Sequence, residues 1–596
     1  MCGICGIVDL QQHIEPSVIQ SMTMCLRHRG PDGQATKQLA GAHFGHARLS
    51  IIDLVSGDQP MSDPAGRWWI VFNGEIYNYR ELRQQLQKEG CVFRTQSDTE
   101  VVLQGYLHWR EKVVSRLNGQ FAFAIWDNEK KKLFAARDRF GEKPFYWALT
   151  DRGEFMFASE IKSILASKQF NPKLDFQSVD LYLALYYVPP SRTIYRNVYV
   201  LQPAHVLTWE NGRVQTESYW HPVFSRNMTI SEDDAIEQTR VLVRQAVRRQ
   251  MVADVPIGAF LSGGLDSSTV VAYMSEASGK PVKTFSVGFG ELIDELPYAR
   301  EIAVRYQTDH HEIQMDISVG EMLETMATVY DEPFADSSNI PTYLLSQFAS
   351  RYVKVCLSGD GGDEIFGGYG WYYLLWDKTD TKKGALDWLT NIASYFWGPS
   401  INHLWETRLR IATLFDYDRT NLWLDLFQPE ETLSLVRSTY GRVHHLQGMD
   451  PASSFDIQCY LPGDILSKVD RAALAHGLES RSPFLDVELT QFILGLPWQL
   501  RFKDKENLKY LLRQVGQNLW TENIRKRGKQ GFGAPIDAWV LREDVGPIAE
   551  RSLAPNSMLR TLLPGLTPEI YRQSSAAQKW TFLCLALWLE HHAESL

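Results

Sequence analysis

Cys2 and Cys5 stand in C-x-x-C spacing at the head of "MCGICGIVDL". The spacing admits three chemistries. A zinc site needs about four ligands, usually in two spaced pairs, and no second C-x-x-C or H-x3-H occurs in the chain. A redox pair belongs at the start of a helix inside a βαβ unit, whereas "GIVDL" reads as a strand. The third chemistry needs only Cys2. Position 2 is small, so an aminopeptidase can remove Met1 and leave Cys2 with both a thiol and a free α-amine. An α-amine with a pKa of about 8 can act as general base for its own thiol, the N-terminal-nucleophile arrangement. An unprocessed chain with a buried cysteine is the plain alternative, and position 2 by itself leaves both open.

A second chemistry begins at "SGGLDSS" (262–268), between the apolar run "IGAFLS" and the helix start "STVVAYMS". Amides of a tight glycine turn and the dipole of the following helix suit a phosphate. No G-K-[ST] follows, so this is not a Walker A loop. The same residues also suit an ordinary helix start capped by Asp or Ser. A second loop, "CLSGDGGDEIFGGY" (356–369), leaves the apolar run "KVCLS" and carries Asp360, Asp363 and Glu364. Hard carboxylate oxygens suit Mg2+ shared with substrate phosphates. "LSKVDRAALAHGLESRSPFLD" (466–486) puts Lys468 and Arg471 on a helix and Arg481 in the turn after it. "RKRGKQGFGAPIDAWV" (525–540) adds a basic turn. These bases are expected around the acidic phosphate site.

The elements that must hold these groups fall into two styles. Early in the chain, "RHRGPDG", "HARLSIID", "FNGEIYN" and "RTQSDTEVVL" have turn or strand-end character. Between them run "WWIVFNG", "QFAFAIWD" and "KLFAARDRFG", with helices at "YRELRQQLQ" and "TEVVLQGYLHW". Many short strands with two helices imply stacked antiparallel sheets. Asn73-Gly74 taken alone is a hairpin turn. From 254 the pattern changes to strand, glycine turn, helix, strand, with continuous apolar strands as in a buried parallel sheet. The join falls between about 205 and 235, where Ser231 caps a helix with an acidic first turn. Six tryptophans (371, 376, 388, 397, 405 and 423) mark segment 371–445, read as a helical subdomain burying its aromatics, with an acceptor-binding surface as the alternative.

Composition narrows the classes. A chain of 596 residues with 44% hydrophobic residues holds two to four domains. Net charge is −10 and there is no polybasic run, so a nucleic-acid partner is not expected. "TFLCLALWL" is too short to span a bilayer, and no charged n-region precedes an apolar core at the N-terminus. Seven scattered cysteines fit a reducing cytoplasm.

"MCGICGI", "RGPDG", "RLSIID", "NGEIYN" and "SDTE", in that order, resemble the glutaminase domain of class II glutamine amidotransferases. The resemblance implies an α+β, four-layer αββα sandwich of the N-terminal-nucleophile type over residues 2–205. It implies Cys2 as nucleophile on the glutamine amide. Arg48 would grip the α-carboxylate, Asp98 the α-ammonium, and Asn73 and Gly74 would form the oxyanion hole, with Glu75 orienting the substrate. Leu49, Ser50, Ile51 and Ile52 join the glutamine-binding set. Cys5 replaces a commoner apolar residue and is taken as a small buried hydrophobe, which makes the C-x-x-C coincidental.

"SGGLDSS" resembles the pyrophosphate loop of the ATP-pyrophosphatase superfamily. After a class II glutaminase, the three later blocks resemble the glutamine-hydrolysing asparagine synthetases. That resemblance implies an α/β, doubly wound parallel sheet with helical additions over 235–596, joined through a linker and exit strand at 206–234. It places Leu261, Ser262, Gly263, Gly264, Asp266, Ser267, Val287, Ser358 and Gly359 at ATP, and Asp266 and Asp363 on Mg2+. It makes Lys468 and Asp360 catalytic, and Lys468 is the residue expected to stabilise charge during adenylation and ammonia attack. Glutamine, ATP and a carboxylate acceptor, L-aspartate, are the implied partners, with a homodimer and an interdomain ammonia tunnel. Gly528 stands where the family more often has Pro. Within "YDEPFADSSNIPTYLLS" (330–346), Asp336, Ser337 and Ser338 either hold a polar acceptor or cap the next helix. A broader set of synthetase-like amidotransferases, acting on sugar acids or cell-envelope precursors, shares this version of the stretch.

Overall fold

The computed structural model describes residues 2–592 apart from 170, 227–228, 289, 291–293, 373–374, 376–418, 442, 444, 504–506 and 529–530. Trp376, Trp388, Trp397 and Trp405 therefore lie outside the described residues, while Trp371 and Trp423 lie within them.

Two six-stranded sheets form the N-terminal part. In spatial order the first is β10 (Val198–Val200), β8 (Tyr146–Leu149), β9 (Phe155–Ala158), β1 (Cys2–Val8), β3 (Ala42–Arg48) and β2 (Gly33–Leu39). The second is β12 (Arg213–Ser218), β11 (His205–Glu210), β7 (Lys132–Arg137), β6 (Gly119–Asp127), β5 (Trp68–Ile76) and β4 (Met61–Ser62). All their pairings are antiparallel. Ile4, Phe44, Val71, Trp126 and Phe157 fill the space between the sheets. Helix α1 (Pro16–Met24) covers the first sheet, and α2 (Tyr79–Lys88) and α3 (Asp98–Trp109) cover the second. The result is the αββα sandwich. β1 is buried along its whole length, which explains its unbroken run of small and apolar residues. Ser97 caps α3 by accepting from the Thr99 amide, and this cap places Asp98 at the head of the helix.

Helix α4 (Glu232–Gln250) opens the second part. Ser231 accepts from the Asp234 amide, and acidic residues at the start and arginines at the end complement the helix dipole. A five-stranded parallel sheet follows, in spatial order β15 (Asp309–Gln314), β14 (Lys283–Gly288), β13 (Ile257–Phe260), β16 (Val355–Leu357) and β17 (Glu479–Arg481). Strand order runs outward from β13 one way and from β16 the other, so the switch point lies between them. Ligands of doubly wound sheets bind in the crevice at that point, beyond the strand C-termini. The loop from β13 into α5 (Leu265–Ala277) and the loop after β16 both start there.

Helix α6 (Asn339–Ala349) packs on α7 (Leu466–Leu474), and the short α8 (Tyr510–Gly516) lies against α4. Near the C-terminus α9 (Ala576–His591) carries "TFLCLALWL". Ser575 and Gln578 form a capping box, and residues from Trp580 to Leu589 are buried. An apolar helix of this kind is a core element, and no described helix is long and apolar enough to cross a membrane. Its side chains join the core that also holds the outer face of the first sheet.

Arg481 departs from the turn expected for it and sits in the edge strand β17. "ESR" has no β-branched or aromatic residue to announce a strand. Pairing with β16 and burial make it one.

Candidate active site

Cys2 leads β1 and lies directly opposite Arg48 on β3. Its main-chain nitrogen donates to Asn73 Oδ1 on the facing sheet at 2.9 Å. The thiol sits 4.0 Å from the Leu49 carbonyl oxygen. Burial pushes the thiol up, with Arg48 among the groups opposing the shift. A neutral resting thiol needs a base to become a nucleophile. Asn73 Nδ2 is buried without a hydrogen-bond partner among the described residues, a donor ready for an oxyanion. Asn73 and Gly74 lie mid-strand, opposite Ala122 and Phe121, so they are not a hairpin turn. Gly74 has φ +155°, and a Cβ there would overlap the Gln120 carbonyl oxygen, so only glycine fits.

Burial pushes Asp98 up to about 6, although its carboxylate accepts from the Ile76 amide at 3.0 Å. Burial and the adjacent Asp98 also hold Glu75 well above the ordinary carboxylate range. The Glu75 and Asp98 carboxyls lie against each other, and burial disfavours charge on both. Arg48 is anchored by Asp58 and by the Asp53 carbonyl, each at 2.6 Å. The loop Leu49–Ile52 is clamped on both sides: the Ser50 amide donates to Asp32 at 2.8 Å, and the Ile51 carbonyl accepts from the Asp254 amide at 2.9 Å. Cys5 is fully buried, 3.4 Å from Thr23 Oγ1, and burial pushes its thiol up to about 12. None of the seven cysteines is in a disulfide.

A cavity of about 480 Å³ opens at the switch point of the parallel sheet. Leu261, Ser262, Gly264, Asp266, Ser267, Val287, Ser358, Gly359, Asp360, Asp363 and Lys468 line it together. Gly263 lies behind them, against Tyr298. Ser262 and Ser267 tie the first loop through their hydroxyls at 3.0 Å. A Cβ on Gly359 would stand 2.7 Å from Asp266 Cβ, so the bare backbone lets the two loops touch. Lys468 Nζ is 2.7 Å from Asp336 and 4.0 Å from Asp464. These carboxylates outweigh burial and keep the ammonium charged. Burial raises Asp360, which accepts from Ser358 Oγ at 2.7 Å. Burial and Asp363 push Glu364 up to about 8, and Tyr369 donates to it at 2.5 Å. Asp336 accepts from the Ser338 amide at 2.8 Å, so it ties the turn before α6 while also lining the cavity.

Lys509 carries no signal in the sequence, yet its ammonium bridges Asp266 and Asp363, 2.7 Å from Asp363 Oδ1. A single cation shared by two carboxylates shows that their charges converge on one point. Oxygen donors so arranged fit Mg2+.

Arg471 and Arg481 do not surround the phosphate site. Arg471 meets Glu160 at 2.8 Å and Asp331 at 3.2 Å, and Arg481 meets Glu75 at 3.0 Å. On α7, Lys468 lines the cavity while Asp470, two residues on and so on another side of the helix, meets Arg29 of the N-terminal sandwich, and Arg471 reaches Glu160 and Asp331. Arg29, fully buried, donates to Asp470 at 2.8 and 3.1 Å and to the Cys2 carbonyl at 3.2 Å.

A nucleophile-bearing αββα sandwich, joined to a doubly wound sheet with a glycine- and acid-rich cavity, defines a two-domain glutamine amidotransferase. The chain matches the Asparagine synthase family over residues 238–590 and the Glutamine amidotransferase domain over residues 1–220. Glutamine-hydrolyzing asparagine synthetase 1 of Bacillus subtilis (strain 168) is 34% identical over 565 residues, 91% of this chain and 88% of that protein. Glutamine-hydrolyzing asparagine synthetase 3 of the same strain is 32% identical over 564 residues, 89% and 87% of the two chains. Amidase chry2 of Gibberella zeae is 30% identical over 614 residues, 90% of each chain. This chain belongs to the asparagine synthase family.

Proposed function

We propose that this enzyme is a carbon–nitrogen ligase that makes asparagine from L-aspartate, with glutamine as amido donor and ATP as the second substrate. One observation carries the reading. Helix α7 puts Lys468 into the nucleotide cavity and Asp470 onto Arg29, whose Nε holds the Cys2 carbonyl. An amide-cleaving site and an adenylating site thus share one helix.

Once Met1 is removed, the Cys2 α-amine takes the thiol proton and the thiolate attacks the glutamine side-chain carbonyl. Arg48 and Asp98 hold the α-carboxylate and α-ammonium, Glu75 orients the substrate, and the Leu49–Ile52 loop walls the site. Asn73 Nδ2 and the Gly74 amide receive the oxyanion. Ammonia leaves, and water releases glutamate from the thioester. In the second site the aspartate β-carboxylate attacks the α-phosphorus of ATP, and pyrophosphate departs. Asp266 and Asp363 would hold Mg2+, which supplies charge neutralisation at the phosphates. Ammonia then attacks the acyl carbon and AMP leaves, with Lys468 offsetting negative charge and Asp360 positioned for proton transfer. Both ammonia and the acyl-adenylate are lost to water, so passage between the sites must be enclosed. Domains at 2–205 and 235–596 with the join at 206–234, whose hairpin β11–β12 pairs into the second sheet of the sandwich, a homodimer and a cytoplasmic location complete the reading. Seven cysteines outside any disulfide suit that compartment.

A second reading amidates another carboxylate, such as a sugar acid or a cell-envelope precursor. The observation favouring it is the aromatic end of the cavity, where Tyr369 stacks on Trp371 at 4.0 Å with Tyr460 beside both. Purified enzyme with glutamine and MgATP separates the two. The first reading expects AMP formation to rise on adding L-aspartate. AMP that stays at the aspartate-free level, with normal glutamine hydrolysis, selects the second.

A further inference from the structure

Three features converge on Lys509. Its ammonium lies between Asp266 and Asp363, on the spot where their charges meet. Its backbone adopts φ 58°, ψ 39°, a left-handed conformation that non-glycine residues rarely take. Gly368 makes room for it: a Cβ there would overlap both Lys509 Cε and Asp363 Oδ1. A strained backbone and a slot without a side chain are both spent on aiming one lysine at two carboxylates. The side chain is 5% exposed, so solvent does little to shield the interaction.

We propose that Lys509 is a resident counter-ion of the nucleotide site. Its ammonium holds Asp266 and Asp363 together while the cavity is empty of nucleotide and leaves that point before a divalent cation enters. A divalent cation and an ammonium cannot share one point between two carboxylates without strong repulsion. The displaced ammonium needs a new anion within reach of its four-carbon stem, and a polyphosphate in the same cavity supplies one. The site therefore takes a divalent cation together with a nucleoside triphosphate or pyrophosphate, and not alone. Lys509 acts on the metal carboxylates and is a positioning residue. The inference rests on the reading that Asp266 and Asp363 hold the metal.

The test is Mn2+ binding to the full chain without nucleotide, followed by the electron-spin-resonance signal of free Mn2+. Wild type is expected to bind weakly. Lys509→Met is expected to bind one Mn2+ at least about tenfold more tightly, and Lys509→Met/Asp363→Asn is expected to lose that gain. Lys509→Gln keeps a donor toward the carboxylates and serves where the Met variant does not fold, with a gain of the same direction expected. Wild type binding Mn2+ within about threefold of these variants overturns the proposal. The metal reading has its own test: Mn2+ binding with ATP in wild type against Asp363→Asn. Unchanged Mn2+–ATP binding in Asp363→Asn removes the metal reading, whatever the Lys509 variants do.

Discussion

Arg481 and Glu75, 406 residues apart in sequence, meet through a hydrogen bond of 3.0 Å. The guanidinium is fully buried and also donates to Glu479 at 2.6 Å and to the Gln250 and Val252 carbonyls at 2.7 Å each. The Arg481 carbonyl accepts from the Ser358 amide at 2.8 Å, at the root of the second nucleotide loop. One residue thus touches the proposed glutamine site with its side chain and the second glycine loop with its main chain.

Arg481→Lys keeps the charge but loses the planar fork. It is expected to lower kcat/KM for glutamine about tenfold. Synthesis from added ammonia, read as pyrophosphate release, should stay within about twofold, because the carbonyl at position 481 remains. Equal loss of both activities would show the contact to be plain scaffolding. Arg481→Met is a poorer probe: stranding Glu75 and Glu479 costs about 3–5 kcal/mol of stability.

Cys2→Ala should abolish glutamine-dependent synthesis and keep synthesis from ammonia, since the thiol serves only amide cleavage. Intact mass should show active wild-type enzyme starting at Cys2. Retained Met1 in active enzyme, or equal loss of both activities in a folded variant, contradicts the assignment.

Asp363→Asn should abolish pyrophosphate release and leave glutamine hydrolysis largely present. It removes one of two converging charges at the phosphates, while the Cys2 site lies in the other domain. A variant that forms AMP at near wild-type rate places the cation elsewhere.

Asp98 titrates near 6 in the folded chain because it is buried. A carboxyl with a raised pKa is neutral below that value and charged above it, so it attracts the glutamine ammonium only on the alkaline side. In Cys2→Ala, where no turnover intervenes, glutamine affinity should fall about tenfold per pH unit below pH ~6, as read by calorimetry. Asp98→Asn in the same background should bind weakly at every pH. Affinity that stays level down to pH ~5 assigns the ammonium contact to another group.

The local rules held wherever neighbours in sequence are neighbours in space. Ser97 and Ser231 cap their helices, and "IGAFLS" and "KVCLS" become the two central parallel strands. The two glycine loops stood out for the same reason: each is a short strand–turn unit whose residue types report its own backbone. Cys2, the proposed oxyanion pair, Asp266, Asp363 and Lys468 were legible from the short motifs that carry them. The chain by itself thus determined two kinds of sheet and put a cysteine, the proposed nucleophile, next to the first residue. Only the tertiary structure decided what lies between them. Asn73-Gly74 became mid-strand and not a turn because β6 pairs across it. Arg471 and Arg481 pair away from the cavity with buried carboxylates that folding brings to them, Arg471 with Glu160 and Asp331 and Arg481 with Glu75 and Glu479. Lys509 had no local signature at all, since a single charge in a helix-like stretch looks the same solvated or buried, and Arg29 stood inside "RGPDG" with nothing to announce its partner. Their partners, Asp266 and Asp470, lie 243 and 441 residues away, and only folding brings such charges close enough for Coulomb attraction to exceed the cost of burying them.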